Sequence, residues 1–133
     1  MTGYIDPTPD ALAAFADQTR PGPIHLLNLI RFRERAAYDD GSGMSGADAY
    51  KTYMQETAPI FARVGGRQVW LGRAELTLIG PADEIWHLAF VAEYPNVAAM
   101  RAMLQDPDYQ KAARHRKAAV ADSRLIKLDP NAV

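Results

Sequence analysis

Residues 24–33 read IHLLNLIRFR. Leu26, Ile30 and Phe32 project to one side of an extended chain together with Asn28. Leu27 and Leu29 project to the other side with His25 and Arg31. A strand of this kind belongs inside a sheet that is covered on both faces. An antiparallel sheet with one wet face alternates apolar and polar residues instead. A second stretch, EIWHLAFVAEY at residues 84–94, repeats the pattern. Trp86, Leu88, Phe90 and Tyr94 lie on one side, and Ile85, Ala89 and Val91 lie on the other with His87 and Glu93.

Punctuation on either side of these strands supplies the remaining elements. Thr8-Pro9-Asp10 is an N-cap, a first-turn proline and an acidic residue, so residues 8–18 read as a short helix that stops at Arg20-Pro21-Gly22-Pro23. After a loop at DDGSGMSG, Ser45 caps a second helix with Asp48 in capping-box spacing. Ala47, Tyr50, Met54, Ala58, Phe61 and Val64 form its apolar stripe, Pro59 predicts a kink, and Gly65-Gly66 ends it. Residues 67–80 read as a strand with a bulge at Gly72, turning at Pro81–Asp83 into residues 84–94. Pro95-Asn96 opens a helix through Leu104. Asp106-Pro107 restarts it to about Ala121, SRLIKL closes the sheet, and DPNAV reads as a frayed tail.

The order after the first helix is β-α-β-β-α-β, an α+β ferredoxin-like fold with a four-stranded antiparallel sheet and both main helices on one face. Residues 1–22 form an N-terminal helical extension, 23–129 the ferredoxin-like domain and 130–133 a tail. Two helices cover one face only. The first helix, about 10 residues and ~15 Å long, is too short to cover the other. A homodimer joined sheet to sheet is therefore expected, because so large an apolar face is unusual on a monomer.

Composition narrows the function. A chain of 133 residues, 48% hydrophobic and 23% charged with a net charge of −1, is one globular domain without a basic field for nucleic acid or a membrane surface. It has no cysteine, hence no disulfide, thiol nucleophile or thiolate metal site. The three histidines follow no metal-binding spacing. A leader-like start and a membrane-length apolar run are both lacking, so a cytoplasmic protein is expected. No nucleophile elbow or phosphate-binding loop is present, and no bound cofactor is expected.

Several residues are candidates for chemistry. Asn28, mid-strand among apolar neighbours, either bonds nearby backbone or faces a pocket as a ligand hook. If the first and third strands pair, His25 falls near Glu93 and Arg31 near His87. Such histidine and carboxylate neighbours either act as a general base, with His87 or Glu93 in that role, or form rim salt bridges. Trp70, Tyr109 and Tyr53 either wall a cavity or belong to the core. His115 and Arg116 sit late in a helix, where cations suit the dipole.

The segments LNLIRFR, AYKTY, VGG, Trp70-Leu71-Gly72, EYP and DPDYQKAARHRKAAVADSRLI, in this order over about residues 23–128, resemble a bacterial family known as domain of unknown function 1330. That family lies in the dimeric α+β barrel superfamily. The resemblance implies a ferredoxin-like protomer, a homodimer through the sheets and no established activity. Asn28, Arg31, Tyr53, Trp70, Glu93, Tyr109, His115 and Arg116 fall within the matching segments. The wider superfamily includes cofactor-independent monooxygenases of aromatic polyketides, muconolactone isomerases, haem-binding chlorite dismutases and stress-response proteins. None of their catalytic sets maps onto this chain. Two expectations remain: a small dimeric protein that binds or transforms an apolar or aromatic metabolite without a cofactor, with monooxygenase- or isomerase-like chemistry, or a non-catalytic ligand-binding or stress-associated dimer.

Overall fold

Three strand pairings set the architecture. In the computed structural model, which describes residues 3–18 and 20–131, β1 (Ile24–Phe32) lies between β3 (Leu88–Tyr94) and β4 (Val120–Leu128), and β2 (Arg67–Arg73) forms the far edge beyond β3. All pairings are antiparallel and the order is β2-β3-β1-β4. The helices are α1 (Pro9–Ala16), α2 (Gly46–Arg63), α3 (Val97–Gln105) and α4 (Pro107–Ala119). This is the ferredoxin-like order that the sequence predicts, with α1 added in front. Ala132 and Val133 of the expected frayed tail lie outside the described residues.

The capping residues act as read. Thr8 Oγ1 accepts from Ala11 N–H, Ser45 Oγ from Asp48 N–H and Asn96 Oδ1 from Ala99 N–H. Asp106 ends α3 and caps α4, and Arg63 holds its carboxylate at 2.9 Å. Gly65, at φ +84°, closes α2 in the left-handed conformation that glycine adopts without strain.

The register defines rows of side chains across the sheet. One face carries Gln68–Ala92–Leu26–Lys127, then Leu71–Phe90–Asn28–Leu125, then Arg73–Leu88–Ile30–Ser123. Here Leu26, Ile30, Phe90 and Ala92 join Tyr50 and Ile60 of α2 and Met100 and Met103 of α3 in the core. The opposite face carries Arg67–Glu93–His25–Leu128 and Trp70–Val91–Leu27–Ile126. No helix covers it.

Two expectations for β2 and β3 need correction. The bulge lies at Val69, where the pairing skips from Gln68 to Trp70, and Gly72 sits in the regular ladder opposite Ala89. The extra residue moves Trp70 to the uncovered face. The hairpin is also shorter than residues 67–80 and 84–94. After Arg73 one further bond, Ala74 N–H to His87 O, continues the pairing. Residues 75–86 then leave the sheet as an arm around a turn in which Glu84 N–H donates to Pro81 O. Leu76, Leu78 and Ile79 on this arm stand mostly in solvent, and Ile79 is 96% exposed.

The start of α2 is wedged between backbones. A Cβ on Gly46 would stand 2.0 Å from Arg33 O and 2.8 Å from Ala119 O. Within a helix, glycine to alanine ordinarily gains roughly 0.5–1 kcal/mol. At this position the clash reverses the sign: Gly46→Ala is expected to destabilise by about 1–3 kcal/mol, as overpacking does. Urea unfolding checks this, and a stabilised variant would show that the wedge is slack.

Candidate functional site

Between the helix-side face of the sheet and the helices lies a cavity of about 1120 Å³. Its floor is the inner sheet rows, with Leu26, Asn28, Phe90 and Ala92 at the centre. Tyr50, Tyr53 and Phe61 of α2 and Tyr109 and Arg116 of α4 form its walls. Leu12 and Phe15 of α1 complete it. The short first helix thus lies on the helix side and leaves the outer face of the sheet bare.

The segment before α1 is strapped to β4. Tyr4 N–H donates to Asp122 Oδ1 at 2.9 Å, and Ser123 Oγ–H donates to Tyr4 O at 2.7 Å. Arg116 Nη1 donates to Ile5 O at 2.6 Å and Nη2 to Ser123 Oγ at 3.4 Å. These bonds place Ile5, Asp6 and Pro7 along the cavity wall.

Asn28 satisfies both readings of it at once. Its Nδ2 donates to Leu26 O at 3.1 Å, the local backbone bond, and the residue lines the cavity. Its Oδ1 makes no hydrogen bond among the described residues, which leaves an acceptor on an otherwise apolar floor. Tyr53 and Tyr109 meet hydroxyl to hydroxyl at 2.8 Å, their rings edge-on, and Tyr50 packs against Tyr53 with ring centroids 5.2 Å apart. Burial raises Tyr53 well above the usual phenol range and also raises Tyr50 and Tyr94. The three phenols are neutral at pH 7, so they supply hydrogen bonds and ring surface and no base.

The other candidates lie elsewhere. Glu93 is on the opposite face, where its Oε1 meets His25 Nε2 at 2.9 Å and its Oε2 accepts from Arg67 Nε at 2.8 Å. The Arg67 bond, then the His25 bond, holds its carboxyl below the usual carboxylate range. The predicted His25–Glu93 juxtaposition is present, as a part-buried hydrogen bond. His87 also meets β1 beside Arg31, its N–H donating to Ile30 O, but its ring turns to Phe32. Arg31 stands opposite Asp122 of β4 on the outer face. His87 stacks on Phe32, and its Nδ1 accepts from Phe32 N–H at 2.9 Å. Six residues of extended chain, ~20 Å, separate His87 from Glu93. Neither residue lines the cavity. Trp70 is on the outer face, 48% exposed.

His115 is buried outside the cavity, with Nδ1 2.5 Å from the Tyr38 hydroxyl. Its Nε2 is 3.0 Å from Glu56 Oε2 but off the line a hydrogen bond needs. This cluster pins the 33–44 loop to α4 and α2. Tyr50, Phe15 and Lys127 were missed as cavity residues. Tyr50 sits on an apolar helical stripe and reads as core, and nothing in the sequence places the first helix or Lys127 over a hollow. Among the described residues no cluster of His, Asp and Glu is placed to hold a metal, and no helix is long and apolar enough to cross a membrane.

A four-stranded antiparallel sheet backed by helices over a hollow defines the ferredoxin-like α+β class. Within that class the chain belongs to the DUF1330 family, the domain of unknown function whose model matches residues 43–128. It is similar to the RPA0582 protein of unknown function from Rhodopseudomonas palustris. One crystal structure of that protein is 53% identical, spans 99% of this chain and 100% of that one, and has a TM-score of 0.94. Its methylated form is 55% identical over 98% and 96%, also with a TM-score of 0.94. More distant structures share the fold alone. SnoaB, a cofactor-independent oxygenase from Streptomyces nogalater, is 18% identical over 84% and 96% of the two chains, with a TM-score of 0.54. A dimeric protein of unknown function from Bacteroides fragilis is 11% identical over 80% and 95%, with a TM-score of 0.53. No curated protein matches the sequence.

Proposed function

We propose that the protein is a homodimer that binds a small apolar or aromatic metabolite in the cavity between sheet and helices, one site per protomer. The cavity carries this reading. At about 1120 Å³ it slightly exceeds the ~300–1,000 Å³ usual for small-molecule sites, and it combines an aromatic lining with a few polar groups. The dimer is supported by the exposed Trp70 and Ile126 on the outer face and by the apolar arm, surfaces that a monomer seldom leaves in water. Structural relatives described as dimeric agree with it.

A second reading adds cofactor-free chemistry on the bound molecule, as in the oxygenase that shares the fold. The free Asn28 oxygen and the Tyr53–Tyr109 hydroxyl pair favour it, because they offer fixed dipoles to a polar head or enol. In this version the ligand supplies its own acidic proton, since the phenols are neutral and His87 and Glu93 lie off the cavity.

Native mass spectrometry of protein purified from its own host tests both parts. The expected species is a dimer that carries one small molecule per subunit. Asn28→Leu is expected to keep the dimer mass and weaken retention of that molecule by about tenfold, the effect of one lost hydrogen bond near the upper end of its range. A ligand held equally well by the variant would remove Asn28 from the site, and a ligand-free wild-type protein would count against the binding function.

A further inference from the structure

We infer that the cavity selects anionic amphiphiles: an aromatic or aliphatic body against the phenyl and phenol rings, with a carboxylate held by Arg116 or Lys127. The inference rests on the reading of the cavity as a ligand site and adds the charge of the ligand.

The charges that line the cavity are unbalanced. Among the described residues Arg67, Arg116, Arg124 and Lys127 border it, against the single carboxylate of Asp6. Two of these cations are already neutralised, Arg67 by Glu93 and Arg124 by Asp122 at 2.8 Å. The other two are not. The Arg116 side chain is only 15% exposed, and its nearest carboxylate, Asp6, is 3.9 Å away and mostly in solvent. Its hydrogen-bond partners are neutral: Ile5 O and Ser123 Oγ. A guanidinium has five N–H donors, and a half-buried cation satisfied by neutral acceptors attracts an anion strongly. Among the described residues Lys127 Nζ donates only to Gln18 Oε1, at 3.1 Å, and keeps two donors free.

The two cations flank the floor. Ser123, which anchors Arg116, and Lys127 both stand on the inner face of β4, four residues and ~13 Å apart. Leu125 and Asn28 lie between them. A carboxylate at either end lays its apolar body along Leu26, Phe90 and the tyrosines. Asp6 touches Arg116 from the solvent side, where it occupies the anion's place weakly until a ligand displaces it.

The test compares 2-naphthoate with its neutral isostere 2-naphthamide by titration calorimetry on the full chain, with Arg116→Gln, Arg116→Lys and Lys127→Gln variants. The expected result is at least about tenfold tighter binding of the carboxylate, with that preference reduced in Arg116→Gln or Lys127→Gln. Arg116→Lys keeps the charge and is expected to retain most of the preference. A role confined to latching the N-terminal strap would instead be lost in both Arg116 variants. Equal binding of the two probes leaves the cavity function standing and overturns the anion preference. A preference unmoved by removing either charge also overturns it, because the anion then docks elsewhere. Binding of neither probe at millimolar concentration counts against the cavity as a site for such molecules and takes the anion preference with it. Arg116→Gln that fails to fold leaves Lys127→Gln and Arg116→Lys to decide.

Discussion

The double variant Leu78→Asp, Ile79→Asp is expected to sediment as a folded monomer under conditions in which the wild-type chain is a dimer. Both side chains are almost wholly in water in the protomer, 87% and 96% exposed, so neither contributes to its core. Changes at such positions ordinarily move protomer stability by no more than about 0.5 kcal/mol. In a dimer that covers the arm, each buried leucine or isoleucine contributes roughly 1.5–3 kcal/mol, and each aspartate would be left as an unpaired charge. The loss corresponds to a dissociation constant raised at least about 100-fold. Light scattering across a concentration series reads it directly. Circular dichroism of the same samples shows whether the monomer keeps its fold. A variant that remains dimeric would place the interface elsewhere, and a wild-type chain that is monomeric at micromolar concentration would remove it altogether.

The expectation of such a partner is legible in ten residues. IHLLNLIRFR cannot show water a polar face, and two helical segments cannot hide both sides of the sheet it centres. The capping residues were equally readable, because Thr8, Ser45, Asn96 and Asp106 act through bonds to backbone two or three positions away. The His25–Glu93 register followed from the alternation of two apolar strands once they were taken as neighbours. Trp70 was harder. Its face depends on the bulge at Val69, and a valine carries no signal for an irregularity, whereas Gly72, which does, fits the ladder. Residues 75–86 have strand-like composition but extend past the sheet, where no neighbouring strand exists to pair with them.

The site itself was only half readable. Asn28, Tyr53, Tyr109 and Arg116 do converge on one space. A hollow, however, has no residue type of its own: Tyr50 and Phe61 look the same on a helical stripe whether they meet packed atoms or a void. Charge was equally ambiguous. Arg116 suits a helix C-terminus, and only the fold reveals that its guanidinium turns inward to neutral partners instead of a carboxylate. His87 and Glu93, each a candidate base on the sequence, do not line the cavity.

Truncating two neighbours on β1 separates a real hollow from a packed core. Ile30 is fully buried away from the cavity, and Leu26, equally hidden, forms part of its floor. Ile30→Ala removes three carbons from a site enclosed on every side. The new void has no other use, and the expected cost is about 4 kcal/mol, within the usual range for such deletions. Leu26→Ala enlarges a space that already exists. Its neighbours lose contact on one side only and no separate void forms, so the expected cost is about 2 kcal/mol, close to the transfer term alone. Urea unfolding of both variants, at one fixed protein concentration because any association would make stability concentration-dependent, gives the comparison. A difference of about 2 kcal/mol corresponds to roughly thirtyfold in the unfolding constant, well outside measurement error. Equal costs at the two positions would mean that side chains close over the floor in solution. The room for a ligand would then be gone, and with it the reason for Asn28 and Arg116 to face inward.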